Sequence, residues 1–181
     1  LIELMDKFGI DKAAICSLNS ILYDHAEGNE EVFQATKRYP NRLVGIATLY
    51  PHYQGSLSAF KKCIYKYGMK GLKLLPHYHN YELNDGTIDP FIEEAIKIKV
   101  PVLIPLSLSM NWNFPRVKVS AISKLIDTYP EATYVVGKFS YEIEEVLRIM
   151  KKHDNVLVET SGLELMNGIE RLVEEIGADR I

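Results

Sequence analysis

Hydrophobic residues along the chain form short continuous runs that alternate with longer stretches of helical spacing. The continuous runs predict strands of a parallel sheet, because a strand that is covered on both faces is apolar at nearly every position. Between them, apolar residues recur at three- and four-residue spacing, as at Ile143, Val146, Leu147 and Met150, which predicts amphipathic helices. The predicted strands are Ala13 to Leu18, Leu43 to Tyr50, Gly71 to Leu75, Val102 to Leu106, Thr133 to Val136 and Val156 to Thr160.

Several of the predicted helices have recognisable ends. Tyr39-Pro40 and Tyr129-Pro130 stop two of them, since proline cannot continue a helix. Gly68 and Gly177 stop two others, because glycine readily takes the left-handed conformation that ends a helix. The predicted helices begin near Asn29, Ser56, Asp89, Val119, Ser140 and Gly162.

This alternation predicts an α/β fold, with residues 1–181 as a single domain. Periodicity alone leaves two architectures open, a TIM-type (β/α)8 barrel and a doubly wound open sheet. Leu1 to Phe8 has the pattern of a helix without a preceding strand, and Ala178 to Ile181 that of a strand just beginning. A barrel with these ends would lack strand one and most of strand eight.

Composition narrows the class of protein. The formal net charge is −3 and no basic stripe stands out, which argues against a nucleic-acid partner. No apolar run approaches the roughly 20 residues of a membrane span, and the first residues do not resemble a signal peptide. Cys16 and Cys63 lie in apolar segments without a CxxC pattern, so we expect free thiols. We therefore expect a cytoplasmic protein.

Six segments, taken in chain order, resemble motifs of the amidohydrolase-related family. The resemblance is to the branch of metal-dependent hydrolase barrels that is similar to aminocarboxymuconate-semialdehyde decarboxylase. It covers nearly the whole chain and implies the (β/α)8 barrel rather than the open sheet. The segments are Asp6 to Ala13, Tyr39 to Gly45, Gly68 to Leu74, Val100 to Ile104, Asn155 to Ser161 and Gly177 to Ile181.

The resemblance also implies a mononuclear metal site, but the residues expected to build it are changed. In the family, a ligand histidine ends strand five and a further histidine that assists the chemistry ends strand six, where this chain has Pro105 and Lys138. Proline has no side-chain donor, and a protonated lysine repels a divalent ion. The other ligands, a His-x-His pair on strand one and an aspartate on strand eight, fall outside this sequence. No cofactor is expected in this segment, and zinc or another divalent metal would require ligands upstream and downstream.

Two histidines follow the fourth strand of the family's numbering, in Pro76-His77-Tyr78-His79. Alternate residues of an extended loop face one side, so His77 and His79 could together bind zinc. They could instead contact an organic ligand through hydrogen bonds, or simply pack over the barrel mouth. The sequence leaves these three interpretations open.

Lysines and a carboxylate mark further candidate positions. Lys138 and Glu159 end neighbouring predicted strands, and we expect an ion pair there that takes the place of the metal as an electrostatic anchor. Lys73 lies on a strand where distant relatives carry a carbamylated, metal-bridging lysine. Because the histidines for such a centre are missing, we expect Lys73 to be held by a carboxylate inside the barrel.

The segment Ser107 to Pro115 is longer than most βα loops. It contains Trp112, the single tryptophan of the chain, beside Asn111. An aromatic plane among amides is typical of a lid over a ligand, although an ordinary surface loop or a homo-oligomer contact through Trp112 would look the same. His52 follows another predicted strand and is a candidate for the rim of the barrel.

These observations favour a barrel protein that hydrolyses or decarboxylates a small polar or anionic organic molecule. The alternative is a catalytically inactive barrel that serves ligand binding or homo-oligomeric assembly. The predicted catalytic residues are Lys138, His77 and Glu159, and the predicted substrate-binding residues are Lys73, His79, Trp112, Asn111 and His52.

Overall fold

Strands and helices alternate through residues 1–108 and 116–181, which this computed structural model describes. They form two compact units, Leu1–Lys73 and Leu74–Ile181. In the first unit the elements are α1 (Ile2–Lys7), β1 (Ala13–Ile15), α2 (Leu18–Leu22), α3 (His25–Arg38), β2 (Leu43–Gly45), β3 (Ala47–Thr48), α4 (Ser56–Tyr65) and β4 (Leu72–Lys73). In the second they are α5 (Pro76–His79), α6 (Asp89–Ile98), β5 (Val102–Pro105), α7 (Val119–Thr128), β6 (Tyr134–Gly137), α8 (Ile143–Lys152), β7 (Val156–Val158) and α9 (Gly168–Ile176).

The strands of the first unit are parallel. Residues 43–48, which form β2 and β3, lie between β1 and β4. On one side Ile15 pairs with Gly45, and on the other Thr48 pairs with Lys73. Neighbouring strands thus follow chain order, as expected when helices provide each parallel crossover.

A buried asparagine anchors α3 to the end of β3. The Asn29 side chain is 1% exposed, and its amide donates hydrogen bonds to the carbonyl oxygens of His25 and Thr48, at 2.7 and 2.8 Å. Its side-chain oxygen accepts from the Thr48 backbone N–H at 3.2 Å. Both main-chain polar groups of Thr48 are therefore satisfied by one side chain, which leaves the strand end no freedom to shift along the helix.

The second unit contains the parallel series β5, β6 and β7. Val102 pairs with Tyr134, and Tyr134 with Val156, so the three strands begin level with one another. Pro105 lies opposite Gly137 at the other end of β5 and β6. The carboxyl ends of these strands consequently form a common edge.

Helix α8 confirms the periodicity that the sequence predicts. Ile143, Val146, Leu147 and Met150 are all buried, at 4% exposure or less. Burial of such side chains contributes roughly 1.5–3 kcal/mol each, which is enough to hold this face of the helix against the sheet. No helix in the described ranges is long and apolar enough to cross a membrane.

Two helix starts differ from the sequence prediction. Helix α3 begins at His25 rather than near Asn29, because the Asp24 carboxylate accepts from two backbone N–H groups of the first turn and caps it. Helix α9 begins at Gly168 rather than near Gly162. Gly162 has φ 84°, a left-handed conformation that a right-handed helix cannot include.

The prediction of a strand at Ala178 to Ile181 is wrong, because these residues form a short 3-10 turn. The Arg180 guanidinium donates to the carbonyl oxygens of Met150, His153 and Val156, at 2.8, 2.6 and 2.9 Å. These carbonyls lie at the end of α8 and the start of β7, where the helix offers no internal partner. One arginine thereby fixes the turn between the two elements and the final residues of the chain.

Replacing Asn29 with alanine should destabilise the protein by about 2–4 kcal/mol. The substitution leaves two buried main-chain groups of Thr48 without partners and opens a cavity in the core. Gln34→Ala, on the exposed face of the same helix, is the matched control and should change the free energy of unfolding by less than about 0.5 kcal/mol. Urea unfolding measures both variants, and equal effects would contradict the anchoring role of Asn29.

Candidate functional site

One carboxylate organises the carboxyl ends of β6 and β7. Glu159 Oε1 accepts a hydrogen bond from the Lys138 backbone N–H at 2.9 Å, and Oε2 accepts from the Ser161 backbone N–H at 2.8 Å. A Cβ atom at Gly137 would lie 2.0 Å from Oε1. Glycine is therefore required at the end of β6, because any side chain there would expel the carboxylate.

The predicted ion pair between Lys138 and Glu159 is not what the structure shows. The two residues are in contact, but through the main-chain N–H of Lys138, and the ion pairs within residues 1–108 and 116–181 do not include the Lys138 ammonium. Glu159 already holds the backbone turn. The Lys138 side chain instead runs along the loop after β7, with Cδ 3.3 Å from the ideal Cβ position of Gly162.

The backbone of Lys138 is also unusual. Its φ angle is 57°, in the left-handed region that few residues other than glycine adopt. Conformations of this kind persist when surrounding contacts enforce them, and they concentrate at functional sites. The Glu159 hydrogen bond supplies that enforcement, so the carboxylate determines where the lysine side chain leaves the strand.

An arginine that sequence reasoning missed joins the same edge. The Arg116 guanidinium forms two hydrogen bonds with the Glu142 carboxylate, at 2.7 and 3.0 Å. It also donates to the Ser107 hydroxyl at 3.0 Å and to the Lys138 carbonyl oxygen at 2.9 Å. Burial acts to raise the pKa of Glu142, but the hydrogen bonds from Arg116 and the backbone lower it overall. This residue links the ends of β5 and β6, and no motif in the sequence marks it.

The extended loop assumed for the two histidines is wrong, because Pro76–His79 forms the helical turn α5. Residues two apart on a helix point in directions about 200° apart, so His77 and His79 do not face one side as a chelating pair would. His79 is 5% exposed. His77 Nε2 is buried and has no hydrogen-bond partner within the described part of the chain.

Tyrosine packing secures this turn. Tyr81 is buried, and its hydroxyl oxygen accepts from the Leu75 backbone N–H at 3.1 Å. Burial raises the pKa of Tyr81, so its phenol remains neutral at physiological pH. The turn that carries His77 is thus held at its base by a buried, uncharged hydrogen bond.

Lys73 does not contact the carboxylate predicted for it. Its ammonium donates to the Cys16 sulfur at 3.6 Å, and the ion pairs of the described ranges do not include it. His52 is exposed to solvent. Trp112 and Asn111 lie outside the residues that the structure describes, so their predicted roles remain predictions.

The donor groups at the strand ends do not fit the metal implied by the family resemblance. Pro105 offers no side-chain donor, Lys138 carries a positive charge, and both oxygens of Glu159 accept from backbone N–H groups. Among residues 1–108 and 116–181, no three His, Cys, Asp or Glu side chains lie close enough to hold an ion. The arrangement can supply a cation and hydrogen-bond donors, which suits an anionic ligand.

Comparison with solved structures identifies the fold. A TIM-barrel protein from Bordetella bronchiseptica matches 99% of this chain at a TM-score of 0.76, with 15% identity over 66% of its own length. The 5-carboxyvanillate decarboxylase from Novosphingobium aromaticivorans, solved with manganese and a nitrobenzoic acid, matches 99% at 0.76, with 20% identity over 67% of its length. The 2,6-dihydroxybenzoate decarboxylase from Rhizobium matches 99% at 0.71, with 16% identity over 74% of its length.

These similarities confirm the TIM-barrel fold and reject the open sheet. The chain spans about two thirds of the length of the first two of these structures. Comparison with curated proteins finds no match. The family model described as amidohydrolase matches residues 24–181, which is most of the chain. With the resemblance of its motifs and its fold, this match shows that the chain belongs to the amidohydrolase family.

Proposed function

We propose that this protein binds a small organic acid and hydrolyses or decarboxylates it, with Lys138 as the cation that holds the acid. The position of the Lys138 ammonium is the observation that carries the proposal. It follows β6 at the carboxyl end of the strands, which is where TIM-barrel enzymes place their active sites. In the described part of the chain it has no acidic partner, since Glu159 is engaged by the main chain.

An ammonium at the end of β6 suits either reaction. In hydrolysis, negative charge develops on the carbonyl oxygen under attack, and in decarboxylation it develops as carbon dioxide leaves. A cation held in place before the reaction stabilises that charge without reorganising. Glu159 acts as a positioning residue, because its hydrogen bond to the Lys138 N–H maintains the left-handed turn from which the lysine projects.

His77 is the proposed proton-transfer residue. Imidazole changes its charge near neutral pH, so it can both accept and donate a proton during turnover. Its Nε2 is buried and lacks a hydrogen-bond partner in the described ranges, so no residue there occupies that nitrogen. The contributions of Lys73, His79, Trp112, Asn111 and His52 to substrate binding are part of the same proposal.

The similar solved structures support the choice of an acid. Two of them are decarboxylases named for carboxylated aromatic compounds, 5-carboxyvanillate and 2,6-dihydroxybenzoate. At this level of identity the likeness establishes the fold alone, so the substrate class enters by analogy. An organic acid also agrees with a site whose available charge is positive.

A catalytically inactive barrel that binds the same acid is the second candidate. The observation that favours it is Pro105, which removes a donor where the family resemblance implies a metal ligand. Turnover separates the two, because release of carbon dioxide or of a hydrolysis product requires the active form.

We further propose that the protein is cytoplasmic and has no nucleic-acid or membrane partner. The net charge of −3 and the free thiols support this proposal. A homo-oligomer is a further proposal, and light scattering would determine whether the protein forms one.

Purified protein should contain well under one equivalent of tightly held zinc. The strand ends provide Pro105 and Lys138 in place of donors, and structural zinc needs about four ligands. Elemental analysis after dialysis measures the content, and His77→Ala should leave it unchanged. Stoichiometric metal that is lost in the His77→Ala variant would contradict the assignment.

Lys138→Met should weaken binding of 2,6-dihydroxybenzoate by about tenfold or more, because a hydrogen bond from a charged donor contributes roughly 1.5–3 kcal/mol. Lys99→Met is the matched control. Lys99 is an exposed lysine with φ 56°, nearly the backbone angle of Lys138, but it precedes β5 instead of following a strand. Isothermal titration calorimetry should show that Lys99→Met binds 2,6-dihydroxybenzoate with unchanged affinity. Equal losses in the two variants would reject Lys138 as the acid-binding cation.

The stability effects of Lys138→Met and Glu159→Gln should be additive within about 0.5 kcal/mol. Glu159 contacts the Lys138 main chain, which the methionine variant retains, so only Glu159→Gln should lower the free energy of unfolding appreciably. A double-mutant cycle by urea unfolding measures the coupling. A coupling of about 1 kcal/mol or more would show that the ammonium and the carboxylate interact after all.

A further inference from the structure

Two polar side chains of the first unit lie on the face of the strands opposite the helices. An ideal Cβ at Gly45 would lie 3.0 Å from Val32 and 3.5 Å from Thr36, both on α3, so this position faces the helix. Ile46 separates β2 from β3, but the backbone N–H groups of Ile46 and Ala47 donate to opposite sides, to Ile15 and Gly71, as in an extended strand. Side chains therefore alternate through this segment, which places Thr48 on the other face. Lys73 pairs directly with Thr48 in parallel register and shares that face.

A third polar side chain joins them. The Lys73 ammonium donates to the Cys16 sulfur at 3.6 Å, and Cys16 directly follows β1. The strand that carries Thr48 lies between β1 and β4, so the contact between the lysine and the cysteine passes over that strand. We call Cys16, Thr48 and Lys73 the inner cluster.

The inner cluster has unused hydrogen-bonding capacity. Thr48 is 0% exposed, and its hydroxyl has no partner among the described residues, although its backbone N–H and carbonyl are both bound by Asn29. A buried hydroxyl without a partner lowers stability, because it has given up its hydrogen bonds to water. The Lys73 ammonium is half-buried, and its partner in the described ranges is a sulfur atom, which is a weak acceptor.

One ligand could supply both of the missing hydrogen-bond partners. Within residues 1–108 and 116–181, the Lys73 ammonium lacks a strong anionic acceptor, and the hydroxyl of the residue paired with Lys73 lacks a partner. A carboxylate satisfies them together, since one oxygen can accept from the ammonium and the other from the hydroxyl, while the thiol remains a further weak donor. A single positive charge matches the single negative charge of a carboxylate, whereas a phosphate dianion would remain half-neutralised.

We infer that the inner cluster is a binding site for the carboxylate group of an organic acid. The inference rests on the proposed function in taking an organic acid as ligand and in using Lys73, but its test does not depend on Lys138. It also explains why Lys73 has no carboxylate partner among residues 1–108 and 116–181. The ligand provides the acidic partner that the sequence led us to expect from the chain itself.

Cys16 can report occupancy of the site. Cys63 is 3% exposed, and burial raises its pKa to about 12, so iodoacetamide near pH 8 should modify Cys16 and spare Cys63. Benzoate serves as the carboxylate probe, and benzamide serves as its uncharged analogue of the same shape. Peptide mass spectrometry follows the rate of alkylation at each thiol. Saturating benzoate should slow the reaction of Cys16 at least about threefold, because only the empty site reacts, and benzamide should have no effect.

Two variants test whether the protection comes from the inner cluster. Lys73→Met and Thr48→Val should each abolish the protection by benzoate, measured as the ratio of rates with and without the probe in the same variant. Thr48→Val keeps the shape of the side chain and removes only a hydroxyl without a partner. Its melting temperature should therefore equal or exceed that of the parent protein, so that the result does not depend on a damaged fold.

Three results would overturn the inference. They are protection by benzoate of less than about threefold, equal protection by benzamide, and protection that survives in either variant. Lys138 is intact throughout these measurements. If Lys138→Met and Lys99→Met lose affinity equally, the proposed function is rejected. The protection of Cys16 still tests the inner cluster independently.

Discussion

Two main-chain N–H groups at the ends of neighbouring strands converge on the carboxylate of Glu159. A half-buried carboxylate is stabilised by such donors, and in return it fixes the two segments that supply them. Gly137 gives the carboxylate room, and Lys138 adopts a left-handed backbone because its N–H is held. The direction of the lysine side chain, the position of the β7 loop and the charge at this edge all depend on this arrangement.

The same arrangement accommodates Lys138 at the end of β6, where the family resemblance implies a histidine. A metal site needs lone pairs directed to one point, whereas Glu159 directs its lone pairs at the backbone. Arg116 brings a second cation to this edge, but Glu142 neutralises it. Within residues 1–108 and 116–181, the Lys138 ammonium then remains at this edge without an acidic partner.

Sequence patterns predicted the parallel strands, the buried face of α8 and the barrel fold, because hydrophobic periodicity and family motifs extend over whole elements. They were less successful where a single contact determines the outcome. The turn at Pro76–His79, the capping by Asp24 and the 3-10 turn at Arg180 each depend on one local hydrogen-bond pattern. Arg116 was missed because its partners come from two segments that are far apart along the chain. Lys138 and Glu159 were correctly placed as neighbours, but periodicity cannot distinguish a side-chain contact from a main-chain one.

The commitment of Glu159 to the backbone has a consequence for protein engineering. A Lys138→His substitution would restore the residue that the family carries at this position, and histidine tolerates a left-handed backbone better than most residues. It would add one donor to an edge where Pro105 contributes none and both oxygens of Glu159 already accept backbone hydrogen bonds. Conversion to a metalloenzyme would require further ligands and a main chain that no longer needs Glu159, because a single side chain cannot supply a metal site at this edge.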